Sequence, residues 1–159
     1  MREARLSALG EERSPAEVRR VVHDVVRRIG ARLPAMLEPG VTPNFHAAMI
    51  QEPARRGAVS PIYLLHSRDY DAWAVAVPQP RFAPAAGDAL PSGWMHLHQA
   101  RFLDHDGVFA ALAELHGIEA WSSYDLEQPV PAGIALRASG DMAYWEPRRL
   151  GDVLFNWWD

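Results

Sequence analysis

The sequence predicts an α+β fold: one domain in which an antiparallel or mixed sheet of about five strands carries a long N-terminal helix, a middle helix and a C-terminal helix. Apolar residues recur at helical spacing near both ends of the chain, and short β-rich runs occupy the middle. Three strand candidates precede the middle helix, which does not fit alternating β-α units. We therefore expect helices packed on one side of the sheet.

The size of the chain fits one domain. Its 159 residues show no internal repeat, so residues 1–13 are predicted as a charged lead-in and residues 14–159 as the domain. Apolar residues make up 48% of the chain, which argues against disorder. No apolar run is long enough to span a membrane, and the charged start lacks the apolar centre of a signal peptide. We expect no membrane association and a cytoplasmic location.

Charge is distributed unevenly along the chain. Residues 1–58 hold ten arginines against seven acids, whereas residues 101–159 hold four arginines against ten acids. The net charge is −4, and because a phosphate-binding surface usually has a basic excess, no nucleic-acid partner is expected. The acidic second half would suit a basic protein partner, although an ordinary solvated exterior is the simpler interpretation. Cysteine is absent, which excludes disulfides and thiolate chemistry.

The N-terminal helix has the clearest start signal in the chain. Ser14 can cap it, Pro15 suits its first position, and Glu17 completes a capping box. Gly30 and Pro34 predict a kink or break near residue 30. The apolar positions at helical spacing are Val18, Val21, Val22, Val25, Val26, Ile29, Leu33, Met36 and Leu37.

The middle of the chain has strand composition. Residues 62–66 and 73–77 predict an antiparallel hairpin. The connector before them, residues 39–57, contains a short helical turn or strand over residues 45–50. Residues 94–103 alternate like a further strand.

Helix signals return after that strand. Asp106 is the predicted N-cap of the middle helix, and Gly117 is placed to end it. Residues 118–123 and, more weakly, residues 134–138 have strand character.

The C-terminal stretch predicts a buried helix with Pro147 in its first turn. Phe155 falls off its apolar stripe, so it either reaches a second core layer or is exposed for a partner. The stripe consists of Leu150, Val153, Leu154, Trp157 and Trp158, which we expect to be interior.

A long proline-rich stretch, residues 78–93, separates two strand candidates. It has no periodicity, and connections of this length are often functional or disordered. Arg81 and Phe82 are its only large side chains suited to contact a ligand. Both a functional loop and a mobile spacer are consistent with this composition.

The pair His96 and His98 is the main candidate for metal chemistry. On a strand the two imidazoles would share a face, and Asp104 or Asp106 could supply a third ligand. Such a set suits zinc or iron. The alternative is two histidines on a half-exposed sheet face, with Asp106 acting only as a helix cap.

The same surface could bind without metal. Trp94, His96 and His98 on one strand face, near Arg81 and Phe82, would form a docking face or a shallow small-ligand pocket. Neither a nucleophile elbow nor a glycine-rich phosphate loop is present in the sequence. We therefore expect a protein-binding module of inhibitor, immunity or regulatory type, and the alternative is a metal-dependent enzyme.

Overall fold

A five-stranded antiparallel sheet forms the centre of the protein. The computed structural model describes residues 13–40, 42–53, 61–79, 97–131 and 144–157. The strands follow one another in sequence order, and every neighbouring pair is antiparallel. The predicted α+β class is confirmed. In chain order the elements are helix α1 (Pro15–Arg28), strands β1 (Arg32–Leu37), β2 (Phe45–Gln51), β3 (Ile62–Ser67), β4 (Ala72–Val77) and β5 (Arg101–Leu103), and helices α2 (Asp106–His116), α3 (Ser123–Leu126) and α4 (Leu150–Leu154).

Helix α1 begins and breaks where the sequence predicts. Ser14 accepts a hydrogen bond from the Glu17 N–H, and the Glu17 carboxylate accepts one from the Ser14 N–H. Gly30 takes a φ of 67°, a left-handed conformation that ends the helical path. The expectation that residues 33–37 extend the helical stripe is wrong, because they lie in β1, which pairs with β2.

Strands β3 and β4 form the predicted hairpin, with Leu64 opposite Val75. The sequence allowed either a helical turn or a strand over residues 45–50. The strand is the one that forms, because these residues make up most of β2. Of the strand predicted over residues 94–103, residues 101–103 form β5 and residues 97–100 do not form a strand, while residues 94–96 lie outside the described residues. Residues 118–123 contain no strand, and residues 134–138 lie outside the described residues.

Helices cover both faces of the sheet, not one side as expected. Helices α1 and α2 pack on one face, whereas α3 and α4 pack on the other. Burial on both faces explains why β4 is an uninterrupted apolar run and why residues 62–65 of β3 are all apolar or aromatic. The first face contains Ala48, Ile50, Leu64, Trp73 and Val75, and the second contains Ala47, Met49, Tyr63, Leu65 and Ala74.

Helix α4 is shorter than predicted and is tightly packed. Its apolar residues Leu150, Val153 and Leu154 are fully buried, as expected. Pro147 precedes the helix instead of lying in its first turn. Gly151 lies so close to Phe102 that an added Cβ would sit 2.1 Å from the Phe102 Cε2 atom.

The residues after α4 leave the helical path but remain in contact with the core. Phe155 is buried, with its ring 6.0 Å from that of Phe45, so it belongs to the core and is not presented to a partner. Trp157 is half-buried and packs against Phe45 at 5.8 Å, while Trp158 lies outside the described residues. Trp145, which lies before the predicted apolar stripe, is 38% exposed. None of the helices in the described ranges has the length and apolar character needed to cross a bilayer.

Candidate functional site

A cleft of about 730 Å³ opens beside the C-terminal segment. Part of the lining comes from Gln79, two residues after β4, and from the turn at His98 and Gln99. We call this cleft the Trp145 cleft. Its lining consists of Gln79, His98, Gln99, Trp145, Glu146, Pro147, Arg148, Arg149, Asp152, Phe155, Asn156 and Trp157.

Hydrogen bonds fix the walls of the Trp145 cleft. The Gln79 side chain donates to the Gln99 carbonyl at 2.7 Å, which joins these two parts of the lining. Arg149 donates to the Asp152 carboxylate at 2.9 Å and to the Ala100 carbonyl at 2.7 Å. Its guanidinium also lies 4.8 Å above the Phe102 ring. These contacts tie the segment before α4 to the start of β5.

The lining residue Asn156 is anchored to Asn44, which directly precedes β2. The Asn44 side-chain oxygen accepts the Asn156 N–H at 2.8 Å, and the Asn44 N–H donates to the Asn156 carbonyl at 3.0 Å. The Asn44 amide also donates to the Leu154 carbonyl at 3.3 Å and to Asp69 at 3.1 Å. Asn44 is 2% exposed, so these bonds satisfy groups that have no access to water.

Aromatic and charged side chains lie in the cleft lining and next to it. Tyr144 is 79% exposed and meets the Trp145 ring edge-on at 5.1 Å. Arg148 is exposed and makes no hydrogen bond or ion pair to any described residue. Asp152, in contrast, is held by Arg149. Tyr144 and Arg148 were not predicted as candidates from the sequence. The available signal was their position before Leu150, the first residue of the apolar stripe, which leaves them off the face expected to be buried.

Only part of the predicted binding set can be placed. His98 lines the Trp145 cleft, half-buried, with its ring 6.4 Å from that of Trp157. It lies in a turn and not on a strand, so alternation along a strand does not set its direction. The other predicted members, Arg81, Phe82, Trp94 and His96, lie outside the described residues.

The two carboxylates proposed as metal ligands have structural roles. Asp104 accepts a hydrogen bond from the Ser123 N–H at 2.7 Å. Asp106 is the first residue of α2, and the predicted N-cap assignment is wrong, because His105 caps the helix by accepting from the Val108 N–H at 3.1 Å. Among the described residues no group of three or more potential ligands could hold a metal ion. Since His96 is not among them, the zinc or iron site stays a prediction, to be checked by elemental analysis of the protein and its His96→Ala, His98→Ala variant.

A second polar cluster lies inside the protein, between the sheet and α1. His46, His66 and Trp73 stand opposite one another on β2, β3 and β4. His46 is 3% exposed and His66 1% exposed, and their Nδ1 atoms are 3.4 Å apart. We call these three residues the histidine row. The sequence reasoning missed it because the two histidines come together only through strand register.

The histidine row ends on Asp71, which forms a partly buried ion pair with Arg13. The His66 Nε2 atom lies 2.8 Å from the Asp71 Oδ1 atom, which also accepts from the Arg13 Nε–H at 2.8 Å. Burial acts to raise the pKa of Asp71, but the hydrogen bond from His66 and the charge of Arg13 outweigh it and hold that pKa below its usual value. Burial, reinforced by His66, lowers the pKa of His46 to about 4.

The histidine row has a structural role in the core and not a catalytic one. An aspartate that orients a histidine supplies two of the three members of a hydrolytic triad, but here His46 occupies the position of the nucleophile. The 1% exposure of His66 gives a substrate no access. Of the two clusters, the Trp145 cleft is the one that a ligand can reach.

Comparisons with known proteins do not assign a family. No protein-family model matches the chain, and neither the curated proteins nor the solved structures give a significant match.

Proposed function

We propose that the protein is a binding module of inhibitor, immunity or regulatory type that takes a segment of a basic protein partner in the Trp145 cleft. The observation that carries the proposal is the exposed Trp145 in the lining of an anchored cleft, with the exposed Tyr144 against its ring. As part of the same proposal we place the protein in the cytoplasm.

Aromatic side chains favour a protein partner. Tyr and Trp are enriched among the residues that dominate binding free energy, because each buries a large area and keeps a polar atom for hydrogen bonding. Trp145 is 38% exposed although it also lines the cleft, so a partner would bury the remainder. A large aromatic left in water next to a concavity is typical of an interaction surface.

Anchoring of the cleft supports affinity. Arg149 and Asn44 hold the segment on both sides of α4 through bonds to backbone carbonyls and amides. A partner that enters such a cleft orders few additional groups, and therefore less of its binding energy is lost as entropy.

Charge favours a basic partner segment. Residues 101–159, which supply most of the cleft lining, hold ten acids against four arginines. Within the lining, Asp152 is paired with Arg149, while Glu146 and Arg148 are both exposed, so the lining itself carries no net charge and the preference for a basic partner comes from the surrounding acidic half. The electrostatic field of this acidic half would raise the rate of association with a basic surface. The exposed side chains around the cleft would then determine which contacts form.

The proposal is tested by placing a photo-crosslinking phenylalanine analogue at Tyr144 and, as a matched control, at Tyr124, which is 69% exposed on α3. We expect a discrete protein to be captured from position 144 alone. With that protein purified, Trp145→Ala should weaken binding by about tenfold or more, and Tyr124→Ala should leave the Kd within about twofold.

Two results would refute the proposal. One is capture of the same proteins from both positions. The other is an unchanged Kd for Trp145→Ala. An association rate that does not fall when salt is raised would reject the basic-partner part alone.

A further inference from the structure

We propose that Glu146 and Gln99 determine what the Trp145 cleft binds: the Glu146 carboxylate pairs with an arginine or lysine side chain of the partner segment, and the Gln99 side-chain amide bonds a backbone peptide group of that segment. This inference rests on the proposed function, because it names the groups that the cleft would recognise. Both residues line the cleft, and both are exposed.

Backbone conformation singles out these two residues. Within the described part of the chain, the non-glycine residues with a positive φ are Asp71 at 43°, Gln99 at 51° and Glu146 at 46°. This left-handed conformation is unfavourable for a residue with a Cβ, because the Cβ comes too close to the following carbonyl oxygen. Such residues persist where another interaction compensates, and they cluster at sites that clamp a ligand.

Asp71 shows how the strain is compensated within the chain. Its Oδ1 atom lies 2.8 Å from the His66 Nε2 atom and accepts from the Arg13 Nε–H at 2.8 Å. Aspartate also tolerates the left-handed region better than most residues. These contacts account for Asp71 without any partner.

Gln99 has no comparable contact. It is the third residue of a turn that the Ala100 N–H closes by donating to the Leu97 carbonyl at 3.2 Å. A positive φ at the third position of a turn is normally taken by glycine or asparagine. The Gln99 carbonyl accepts from Gln79, but its side chain makes no hydrogen bond to any residue that the structure describes.

Glu146 is in the same situation on another segment. It follows two residues in helical conformation, Tyr144 and Trp145, and precedes Pro147. A left-handed residue that ends a helical stretch is usually glycine or asparagine. The Glu146 carboxylate forms neither an ion pair nor a hydrogen bond with a described residue, so nothing in that part of the chain compensates for its strain.

The other charges of the cleft do not need a ligand to explain them. Asp152 is already paired with Arg149. Arg148 is exposed and carries the opposite charge to Glu146, but its φ is not positive, so its backbone is not strained. Glu146 is therefore the charged group of the lining whose placement points to a partner.

The two side chains together fit a basic segment. A carboxylate only accepts hydrogen bonds, and it pairs with a guanidinium or an ammonium group. A side-chain amide both donates and accepts, which matches the carbonyl and the N–H of a peptide group. Trp145 lines the same cleft and is 38% exposed, so its ring offers a surface to the apolar stem of an arginine or lysine.

The first test measures thermal unfolding and needs no ligand. Glycine removes both the strain and the side chain, so Glu146→Gly and Gln99→Gly should each raise the Tm by about 2 °C. Asp71→Gly is the matched control, because the same backbone change removes the bonds to His66 and Arg13 and should lower the Tm by about 4 °C or more. An unchanged or lower Tm in Glu146→Gly or Gln99→Gly would overturn the role assigned to that residue.

The second test measures binding to a library of random peptides displayed on phage and selected on the full protein. Peptides that lose binding to Trp145→Ala report on the cleft, and we expect them to share an arginine or lysine. Their Kd should rise about tenfold for Glu146→Gln and about fivefold for Gln99→Ala. The matched control is Glu114→Gln, an exposed glutamate of α2 on the other face of the sheet, which should leave the Kd within about twofold.

The outcomes separate this inference from the proposed function. If no selected peptide depends on Trp145, the cleft is not the binding surface and both proposals fail. If the peptides depend on Trp145 but share no basic residue, or bind Glu146→Gln as tightly as the wild type, only the role of Glu146 is overturned. An unchanged Kd for Gln99→Ala would overturn the role of Gln99.

Discussion

The two faces of the sheet are covered by different kinds of structure. On one face α1 and α2, of 14 and 11 residues, present regular apolar stripes. On the other, α3 and α4 have only 4 and 5 residues, and side-chain bonds from Asn44 and Arg149 hold the chain between and after them. The regular face encloses its histidines, whereas the irregular face opens into the Trp145 cleft. A face covered by short elements leaves concave surface that long helices would fill.

The largest loss of stability is expected at Asn44, because this one side chain holds the segment after α4 on the irregular face. Asn44→Ala leaves the Asn156 N–H and the Leu154 carbonyl buried without their partner, which should cost about 4 kcal/mol in the free energy of unfolding. Urea denaturation measures it. Gln128→Ala is the control, since it removes a similar bond to the Tyr124 carbonyl at an exposed site and should cost less than about 0.5 kcal/mol. Equal losses in the two variants would mean that Asn44 does not anchor this face.

The free energy of unfolding should depend on pH through His46, which is buried on the regular face. The His46 pKa is about 4 in the folded protein against an ordinary 6.5, so between these values the unfolded chain binds more protons. Stability from this group is complete above about pH 6.5 and falls as pH decreases towards 4, by about 3 kcal/mol in total. Urea titrations at several pH values, compared with His46→Phe, isolate the contribution. A variant with the same slope as the wild type would show that another group is responsible.

A smaller effect is expected from crowding at α4. Gly151→Ala would place a Cβ 2.1 Å from the Phe102 ring, so the ring must move against Phe155 and Arg149, at a cost of about 2 kcal/mol. Thermal unfolding measures it. Gly40→Ala, where the nearest atom lies at an ordinary 3.6 Å, is the control and should be nearly neutral. If Gly151→Ala were as stable as the control, the close approach would carry no energetic weight.

The smallest effect on stability is expected at the rim of the cleft. The double variant Tyr144→Ala, Trp145→Ala should change the free energy of unfolding by less than about 0.5 kcal/mol, because Tyr144 is 79% exposed and Trp145 is 38% exposed. Urea denaturation again provides the measurement. A loss above about 2 kcal/mol would identify the pair as core residues and remove the reason to assign them to binding.

Sequence signals were reliable where a local interaction decides the structure. The capping box of Ser14 and Glu17 and the left-handed C-cap at Gly117 were both predicted, because each depends on a few neighbouring residues. The β3–β4 hairpin was predicted for the same reason, since its strands are joined by a short turn.

The errors arose where one pattern fits two structures. Leu33, Met36 and Leu37 have helical spacing, yet they lie in β1, because Gly30 redirects the chain and β2 supplies a pairing edge. Strand β2 contains alanine and methionine and is buried on both faces, so it shows no alternation. Residues 118–123 were predicted as a strand but form none; the Trp121 N–H there donates to the Trp73 carbonyl of β4 at 2.8 Å.

The sequence by itself determined the α+β class, the start of α1, the central hairpin and the burial of Leu150, Val153 and Leu154. These features follow from periodicity and capping, which act over a few residues. Only the tertiary structure decided that helices cover both faces, that His46 meets His66, and that Trp145 stands at the rim of a cleft beside His98. Each of these depends on strand register or on chain segments far apart in sequence, and local pattern carries no information about such contacts.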